Sequence, residues 1–570
     1  MTPDGSPDPP AAAPTLRYPP GIPREIEIPN RRLPDAIAES VRRWPDRDAF
    51  RFYGTRMSYR SFWERSGRFA ATLWREGFRP GDRLALYLPN CPVYPIAFLG
   101  ALRLGVVVVQ VSPLYLREDL EHLLSDAEPR GIVALDTHWK NVAELSGKVR
   151  VEVPFVARLR DLYPFYLRPF VNRAARRRGL DPLYPSDPGV RDFRASLRPG
   201  GEFPTPATDP TRELAVLQYT GGTTGTPKAA MLTHRNLLAN ALQCRTWFPT
   251  VPAGTSILLA AIPFFHVYGM TVALTYPLLN GTTVVLELRP EVREMLRLIA
   301  KHRPTELPGV PAMYRAIADQ PDADRYGVRS IVLCISGSAA LPLDVARRFE
   351  AITGGNLIEG YGLSEASPVT HANPVDRAFR REGSIGLPLP STDQRIVDLD
   401  RGTRELPIGD LGELEVRGPQ VMAGYYRTPS ETALVLVDGW LRTGDVARID
   451  AEGYAYIVDR KKDMINVGGL KVYPRQVEEV LERHPGIAEA AVVGVPDPEL
   501  GESVRAFVVP KPGVALDPSE VIAFVRSRIA HYKAPRSVEV RPSLPKSGIQ
   551  KVLRRELREM ARGGATAPAG

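Results

Sequence analysis

The segment from Tyr219 to Lys228 has the composition of a loop that binds phosphate groups. It contains three glycines and four threonines, which are Thr220, Gly221, Gly222, Thr223, Thr224, Gly225 and Thr226. Glycines let a backbone turn tightly and present its N–H groups to an anion, while threonine hydroxyls add donors and metal ligands. Lys228 at the end of the segment can neutralise one phosphate charge. The segment therefore predicts a polyphosphate-binding loop, with a surface turn as the alternative because glycine and threonine are common in loops.

This loop does not follow the common rule for nucleoside triphosphate loops. That rule requires glycine, four residues, and then glycine, lysine and serine or threonine. Here Gly222 is followed by Pro227, Lys228 and Ala229, so the second glycine and the final hydroxyl are both missing. The loop alone therefore does not distinguish a polyphosphate-binding loop from a surface turn, and the rest of the chain is needed to decide between them.

Five further segments, taken with this loop, resemble the motifs of the adenylate-forming superfamily. That superfamily includes acyl-CoA synthetases, luciferases and the adenylation domains of peptide synthetases. The five segments are Pro263–Gly269, Glu359–Glu365, Trp440–Asp445, Val458–Ile465 and Leu544–Lys551. Six motifs in the family's order are strong evidence because the probabilities of chance matches multiply. The intervening sequence is most similar to that of bacterial long-chain fatty acid–CoA ligases.

The resemblance implies a nucleotide site with a bound Mg²⁺ ion. Glu365 and Thr220 would hold the metal, Tyr361 would stack on adenine, and Asp445 would accept the ribose hydroxyls. Arg460 would supply a second contact to ribose or phosphate. The ATP and AMP contacts implied in this way are Thr220, Gly221, Gly222, Thr223, Thr224, Gly225, Lys228, Gly360, Tyr361, Asp445 and Arg460.

The resemblance also implies the residues that handle the acid and coenzyme A. The implied catalytic residues are Lys551, His266 and Glu365; the implied acyl-site residues are His266, Gly337, Ser338 and Gly362. Lys551 would bridge the substrate carboxylate and the α-phosphate, and His266 would position or gate the acid. Gly468 and Gly469 would admit the narrow pantetheine chain of coenzyme A.

One position departs from the family pattern. Gln550 stands directly before Lys551 where the family usually has glycine, and Gly548 lies two residues earlier. Because glycine permits backbone conformations closed to glutamine, either the lysine loop follows another path or the adenylation step is slower. A degenerate acyl-binding protein is therefore kept as an alternative from a different functional class.

The expected fold is α/β, because strand and helix patterns alternate through most of residues 35–390. Arg83–Leu88 followed by Val93–Leu104 is one example, and short strands with Gly-rich turns follow from about 383 to 460. The resemblance implies a large N-terminal adenylation domain over 24–461, with two α/β lobes and a small β lobe. A small, mobile α+β domain over 462–562 would follow a hinge at Lys462. Residues 1–23 and 563–570 are rich in Pro, Ala or Gly and predict a disordered leader and tail.

Composition is that of a soluble globular protein. The 570 residues are 44% hydrophobic and 24% charged, and the three cysteines are far apart. Sparse cysteines argue against a disulfide framework and indicate a reducing cytosol. The stretch Thr246–Leu286 lacks charged residues, but prolines and glycines interrupt it. It therefore predicts buried strand, loop and helix inside the α/β core rather than a membrane span.

The net charge of +9 suits anionic substrates such as ATP, coenzyme A and carboxylates. The segment Arg158–Arg178 contains seven arginines and one acidic residue, interleaved with Tyr163, Phe165, Tyr166 and Phe170. It is either a solvated surface insertion or a basic aromatic patch that contacts anionic membrane. Nucleic acid is not expected as a partner, because no nucleic-acid-binding motif accompanies the patch.

The resulting expectation is an AMP-forming acyl-CoA synthetase. It would convert ATP, a medium- to long-chain fatty acid and CoA into acyl-CoA, AMP and diphosphate through an acyl-adenylate, with Mg²⁺ as cofactor. The alternatives are a ligase for aryl or short-chain acids and an acyl-AMP ligase that loads a carrier protein. We expect a cytoplasmic enzyme, with peripheral membrane contact and a homodimer both left open.

Overall fold

The computed structural model describes residues 15–177, 179–180, 182–220, 227–249, 251–400, 402–546 and 552–563. The chain forms two compact units. The larger unit comprises Tyr18–Asp393 and Arg417–Leu441, and the smaller unit comprises Met1–Arg17, Gln394–Val416 and Arg442–Gly570. Each unit is therefore assembled from separate stretches of the chain.

The strands up to residue 388 are, in chain order, β1 (Asp48–Phe52), β2 (Thr55–Ser58), β3 (Arg83–Tyr87), β4 (Val107–Val111), β5 (Gly131–Leu135), β6 (Val153–Ala157), β7 (Arg191–Asp192), β8 (Leu214–Thr220), β9 (Lys228–Thr233), β10 (Ile257–Ala260), β11 (Thr283–Leu286), β12 (Leu333–Ser336), β13 (Asn356–Gly362), β14 (Val369–Ala372) and β15 (Leu387–Pro388). The later strands are β16 (Asp393–Val397), β17 (Gly412–Arg417), β18 (Leu436–Val437), β19 (Trp440–Ile449), β20 (Ala455–Arg460), β21 (Ile465–Val467), β22 (Leu470–Val472), β23 (Ile487–Asp497), β24 (Gly501–Pro510) and β25 (Ser537–Val540).

The helices are α1 (Leu33–Arg43), α2 (Tyr59–Arg75), α3 (Val93–Leu104), α4 (Arg117–Ala127), α5 (Trp139–Ala143), α6 (Arg168–Arg177), α7 (His234–Trp247), α8 (Val267–Met270), α9 (Tyr276–Leu279), α10 (Val292–His302), α11 (Pro311–Ala318), α12 (Leu343–Thr353), α13 (Pro429–Val435), α14 (Pro474–Glu482), α15 (Pro518–Arg526) and α16 (Arg554–Gly563).

The larger unit contains a seven-stranded sheet in the order β7-β6-β5-β3-β4-β8-β9. Its neighbouring strands run parallel except for β9, which runs antiparallel to β8. Every residue of β4 and β5 is buried, as expected for a parallel sheet covered on both faces. The predicted strand at Arg83 and the helix over Val93–Leu104 are confirmed as β3 and α3.

Glu306 joins two further sheets of the larger unit. One has the order β10-β11-β1-β2 and the other β12-β13-β14-β15. Glu306 makes isolated parallel bridges to Leu258 of β10 and to Leu333 of β12, so a single residue continues the sheet between them. Its side chain is consequently enclosed in the centre of the unit, where it is 2% exposed.

The uncharged stretch Thr246–Leu286 folds as predicted. Strand β10 is followed by α8, a π-helical turn over Thr271–Thr275, and α9, after which β11 returns to the sheet. All four residues of β11 are buried. Among the described residues, no helix is both long enough and apolar enough to cross a bilayer.

The predicted disordered leader is wrong for its last residues. Tyr18 packs its ring edge-to-face against Trp247, with the ring centroids 5.6 Å apart. Its hydroxyl donates a hydrogen bond to the carbonyl of Pro388 at 2.7 Å. An aromatic anchor therefore outweighs the Pro-rich composition at this point, whereas residues 1–14 lie outside the described part of the chain.

The smaller unit contains two sheets, one from the β-rich region and one from the module that follows it. The expected domain boundary between residues 461 and 462 stays a prediction. Strands β16, β17, β19 and β20 belong to the first sheet, and the second has the order β22-β21-β24-β23 with β25 beside β24. Helices α14 and α15 cover the second sheet through Val477, Val480, Val521 and Val525, which are buried in one apolar cluster.

Candidate functional site

Strands β8 and β9 hold the two ends of the predicted phosphate loop together. Thr220 ends β8, Lys228 begins β9, and these two residues face each other in the antiparallel pair. The loop residues Gly221, Gly222, Thr223, Thr224 and Gly225 lie outside the described residues, so their phosphate contacts stay predictions. Helix α7 follows β9 directly and begins with a capping box formed by Thr233 and Asn236.

Lys228 is held between an acid and an aromatic ring. Its ammonium group forms an ion pair with Glu431 and lies 5.6 Å from the centre of the Tyr425 ring. The lysine side chain is only 13% exposed, so its charge is largely removed from bulk water. An ammonium group in this setting is well suited to bind an anionic phosphate, because screening by water is weak.

The residues from Met422 to Tyr426 bring Glu365 to the β8–β9 hairpin. This segment runs alongside β9, where Met231 N–H donates to the Gly424 carbonyl at 2.9 Å. Met422 N–H donates to the Glu365 carbonyl at 2.8 Å, and the Tyr425 hydroxyl donates to Glu365 Oε1 at 2.8 Å. The 3₁₀ turn Ser364–Ala366 has Cα atoms within 8 Å of both β8 and β9. Thr220, Lys228 and Glu365 thus belong to one neighbourhood of the larger unit.

This neighbourhood fits a Mg²⁺ ion that is shared with a bound phosphate. Among the described residues there is no group of three or more His, Cys, Asp or Glu side chains able to cage a metal. Mg²⁺ is usually held by one or two carboxylates together with phosphate oxygens and waters, rather than by a complete protein cage. The carboxylate of Glu365 beside the hairpin is a donor of this kind.

Strand β13 carries Gly360, Tyr361 and Gly362 and leads directly to Glu365. The Tyr361 ring meets the ring of its cross-strand neighbour His371 edge-to-face at 5.9 Å. A Cβ atom on Gly362 would lie 2.1 Å from the Pro368 carbonyl oxygen, so no larger residue fits there. The predicted adenine-stacking tyrosine therefore lies on β13, and the predicted metal ligand lies in the 3₁₀ turn that follows this strand.

His266 caps the N-terminus of α8. Its Nδ1 accepts a hydrogen bond from Tyr268 N–H at 3.3 Å, and the imidazole is half-buried. The chain before it is held by Asn90, which donates to the carbonyls of Ala260 and Ile262 and accepts from Phe264 N–H. We did not predict Asn90; the available signal was a polar residue between the apolar segments that form β3 and α3.

Tyr268 connects the His266 segment to the other predicted acyl-site residues. Its hydroxyl donates to the carbonyl of Ile335 at 2.7 Å. Its ring lies against Gly337, where an added Cβ atom would come within 3.1 Å of the ring. Ser338 follows with a positive φ of 69°. Tyr268 therefore contacts both His266 and Gly337, and Ser338 follows Gly337 in the chain; the sequence did not reveal this role of Tyr268.

In the smaller unit, Asp445 and Arg460 occupy facing positions on β19 and β20. Asp445 is buried, and its Oδ1 lies 3.4 Å from Arg460 Nε. The Asp445 N–H donates to the Thr443 hydroxyl at 3.2 Å, which shapes the turn before it. The two predicted ribose contacts are thus paired with each other within this unit.

The predicted hinge residue Lys462 lies between two anchored neighbours. Lys461 Nζ donates to Glu413 Oε2 at 2.8 Å on one side. On the other side Asp463 is buried, and its Oδ1 accepts a hydrogen bond from Arg558 at 2.9 Å. Burial of Asp463 opposes ionisation, but nearby Arg554 and Arg558 outweigh it and lower the pKa of this carboxyl group.

Gly468 and Gly469 form the two-residue turn between β21 and β22. Their φ angles are +58° and +86°, and Gly468 N–H donates to the Leu500 carbonyl at 2.8 Å. Two successive positive φ angles are typical of the tight hairpin turns that strongly prefer glycine. Turn geometry therefore already accounts for this glycine pair, and its contact with coenzyme A stays a prediction.

Lys551, Gln550 and Gly548 lie outside the described residues. The chain on either side of them is described: Lys546 and Val552 form an antiparallel bridge, and α16 begins two residues later. The predicted role of Lys551 in catalysis is therefore argued from the motif alone.

The described part of the segment Arg158–Arg178 exposes three large aromatic side chains. Phe165, Tyr166 and Phe170 are 79%, 59% and 67% exposed. On α6, Val171 and Ala175 face the protein, while Arg173, Arg176 and Arg177 are exposed. Aromatic rings and arginine side chains therefore reach solvent together from one short stretch.

Two family models match the chain. The model described as AMP-binding enzyme matches residues 37–426, and the model described as AMP-binding enzyme C-terminal domain matches residues 476–551. Together they include the hairpin, Glu365 and Lys551.

Among curated proteins, the chain is 43% identical to a long-chain-fatty-acid–CoA ligase of Bacillus subtilis, over 95% of this chain and 97% of that protein. It is 40% identical to a long-chain-fatty-acid–CoA ligase of Escherichia coli, over 96% of this chain and 98% of that protein. Among solved structures, ATP-bound MatB from Rhodopseudomonas palustris aligns with a TM-score of 0.82 and 30% identity, over 94% of this chain and 99% of that one.

Proposed function

The chain belongs to the AMP-binding enzyme family, and from this premise we propose that it is an AMP-forming acyl-CoA synthetase for medium- to long-chain fatty acids. The observation that carries the proposal is that Lys228 and Glu365 both contact Tyr425 beside the β8–β9 hairpin, in a chain similar to fatty acid–CoA ligases along almost its whole length. A cation and a metal-binding carboxylate are the two groups that a Mg²⁺–triphosphate requires.

The reaction has two steps. In the first, a carboxylate oxygen of the fatty acid attacks the α-phosphorus of ATP, and diphosphate leaves. In the second, the thiol of CoA loses its proton and its sulfur attacks the carbonyl carbon of the acyl-adenylate, and AMP leaves with the electron pair of the broken C–O bond. Activation is needed because the free carboxylate is negatively charged and offers no adequate leaving group.

The residues of the larger unit would bind the triphosphate and the acid. Lys228 would exchange its ion pair with Glu431 for a phosphate oxygen, and Thr220 and Glu365 would hold Mg²⁺. When bound, the ion neutralises negative charge on the phosphates. Gly337 and Gly362 would leave space for the acyl-adenylate, and His266 would position the carboxylate. Lys551 would stabilise the negative charge that develops at the α-phosphate during the first step.

A panel of acids assayed with ATP and CoA tests the proposal. We expect AMP release that depends on both a medium- or long-chain acid and CoA. Preference for aryl or short-chain acids would overturn the proposed specificity. AMP release that requires a carrier protein instead of CoA would indicate an acyl-AMP ligase. No AMP release with any acid would indicate the degenerate acyl-binding protein.

Replacement of the predicted catalytic lysine tests the mechanism. Lys551→Ala should slow formation of acyl-AMP by roughly 10²–10³-fold, as expected when one contact to developing charge is lost, and should spare thioester formation from preformed acyl-AMP. Lys546→Ala is the matched control, because Lys546 pairs with Glu489 at 2.8 Å and has no proposed contact with substrate. Equal loss of both half-reactions in Lys551→Ala would contradict the assigned role.

We propose a cytoplasmic location, supported by the burial of the three free cysteines Cys91, Cys244 and Cys334, which is typical of proteins in a reducing compartment. We further propose that the segment from Arg158 to Arg178 contacts anionic membrane. The exposed aromatic rings would enter the headgroup region, while the arginines pair with lipid phosphates.

Vesicle binding tests this membrane contact. Replacing Arg173, Arg176 and Arg177 with Gln should weaken binding to anionic vesicles by roughly 100-fold, at about 1 kcal/mol for each residue, and less as salt is raised. Activity on a soluble acid should not change. A control with equal loss of charge replaces exposed arginines elsewhere, namely Arg212, Arg347 and Arg348, with Gln. Equal binding of the two variants to anionic vesicles would contradict the membrane contact and would leave the solvated surface insertion as the interpretation of this segment.

A further inference from the structure

Tyr425 contacts both groups that are proposed to meet the triphosphate. Its hydroxyl donates to Glu365 Oε1 at 2.8 Å, and its ring lies 5.6 Å from Lys228 Nζ. The backbone of Tyr425 is fixed on two sides, since it bridges to Ala230 of β9 and its N–H donates to the Thr432 hydroxyl at 2.8 Å. The phenol therefore reaches Glu365 from a rigid support.

We propose that Tyr425 is a positioning residue that orients the Glu365 carboxylate toward the Mg²⁺ ion of the bound nucleotide. The inference rests on the proposed function, because it takes Glu365 as a metal ligand. A hydroxyl that donates to Oε1 restricts rotation of the carboxylate and leaves Oε2 to face a cation. Partners of this kind beside metal ligands typically contribute about 10- to 100-fold to metal affinity.

The hydroxyl is not needed to join the two segments. Met422 N–H already donates to the Glu365 carbonyl at 2.8 Å, so a backbone hydrogen bond connects the 422–426 segment with the 364–366 turn. Tyr425→Phe would keep this bond, the bridge to Ala230 and the ring beside Lys228. The change therefore isolates the contact with the carboxylate.

Binding experiments separate the metal from the nucleotide. The affinity of Mn²⁺ for the enzyme–ATP complex, measured by electron paramagnetic resonance, should fall about 10-fold in Tyr425→Phe. Binding of ATP in the presence of EDTA, measured by calorimetry, should not change, because Tyr425→Phe leaves the Lys228 ammonium group and the aromatic ring beside it in place. The neighbouring Tyr426→Phe is the matched control and should leave both measurements unchanged.

Glu365→Gln separates a failure of this inference from a failure of the proposed function. If Glu365→Gln weakens Mn²⁺ binding and Tyr425→Phe does not, the positioning role is overturned and the metal role of Glu365 stands. If neither variant affects Mn²⁺, the metal role fails and the inference fails with it. If Tyr425→Phe lowers the Tm and weakens Mn²⁺ and metal-free ATP equally, Tyr425 is a structural support and the inference is again overturned.

Discussion

Glu306 gives the stability of the larger unit a defined dependence on pH. This carboxyl group is enclosed at the junction of two sheets, and the Tyr276 hydroxyl donates to its Oε2 at 3.0 Å. Burial raises the pKa of Glu306 from an ordinary 4.5 to about 7, although hydrogen bonds from Tyr276 and Ser256 oppose the rise. The folded protein therefore holds the proton more tightly than the unfolded chain does.

The size and sign of the effect follow from these two pKa values. The stabilisation by the protonated form is fully present below pH 4.5 and is lost as the pH rises through 7. A difference of about 2.5 pKa units corresponds to roughly 3 kcal/mol, at 1.36 kcal/mol for each unit. Glu306→Gln, a neutral side chain of the same shape, should therefore have a small effect at pH 5 and should stabilise the protein at pH 8.

Thermal unfolding followed by tryptophan fluorescence measures this difference. All six tryptophans lie in stretches of the larger unit, so the signal reports on that unit. Between pH 5 and pH 8, the Tm of Glu306→Gln relative to the parent should rise by roughly 3–6 °C, because 1 kcal/mol changes Tm less in large domains than in small ones. Glu382→Gln, at an exposed ion pair with Arg347, is the control and should show no such rise.

Parallel Tm curves for the parent and Glu306→Gln would refute this reasoning. They would mean that Glu306 titrates near its ordinary value, so that water or structural relaxation at the sheet junction removes the cost of the buried charge. Glu287, whose pKa burial raises to about 8, remains in both proteins and cancels from the comparison.

Four further substitutions probe the site. Asp445→Asn should raise the KM for ATP by roughly 10- to 100-fold, because hydrogen bonds to a charged group contribute about 1.5–3 kcal/mol; an unchanged KM would exclude the ribose contact. Gly337→Ala should raise the KM for the fatty acid and spare that for ATP, because its Cβ lies 3.1 Å from the Tyr268 ring; equal changes in both would contradict an acyl-site role. We expect Gly548 to supply the flexibility of the lysine loop, so Gly548→Ala should slow adenylation and Gln550→Gly should leave its rate unchanged. Stopped-flow measurement of each half-reaction tests this, and faster adenylation in Gln550→Gly with no effect of Gly548→Ala would contradict it.

Local patterns predicted much of the fold. The alternation that placed β3 before α3 and the uncharged composition of Thr246–Leu286 are properties of short stretches, and hydrophobic burial explains both. The phosphate loop itself was predictable from its composition, and the structure confirms that its two ends lie at Thr220 and Lys228, which face each other across β8 and β9. Motif resemblance added roles for residues that composition alone could not distinguish.

The contacts that position these residues were not predictable, because they join distant parts of the chain. Asn90 holds the residues before His266 from about 170 positions away, and Glu431 pairs with Lys228 across about 200. Neither residue belongs to a local pattern, so only the folded arrangement reveals it. The prediction of disorder at Tyr18 was wrong for a related reason, since Trp247, against which its ring packs, is remote in sequence.

The anchored neighbours of Lys462 determine how any rotation there would be transmitted. Lys461 is tied to Glu413 and Asp463 to Arg558, so the backbone on either side of Lys462 is attached to a packed element. A change in the φ and ψ angles of this one residue would then turn everything beyond it as a rigid body, instead of being absorbed by bending of the chain. If Lys462 is the hinge, it would be the pivot of this rotation, and its N–Cα and Cα–C bonds would be the axes. Loss of either ion pair would let neighbouring residues share the rotation, without altering any group that is proposed to touch substrate.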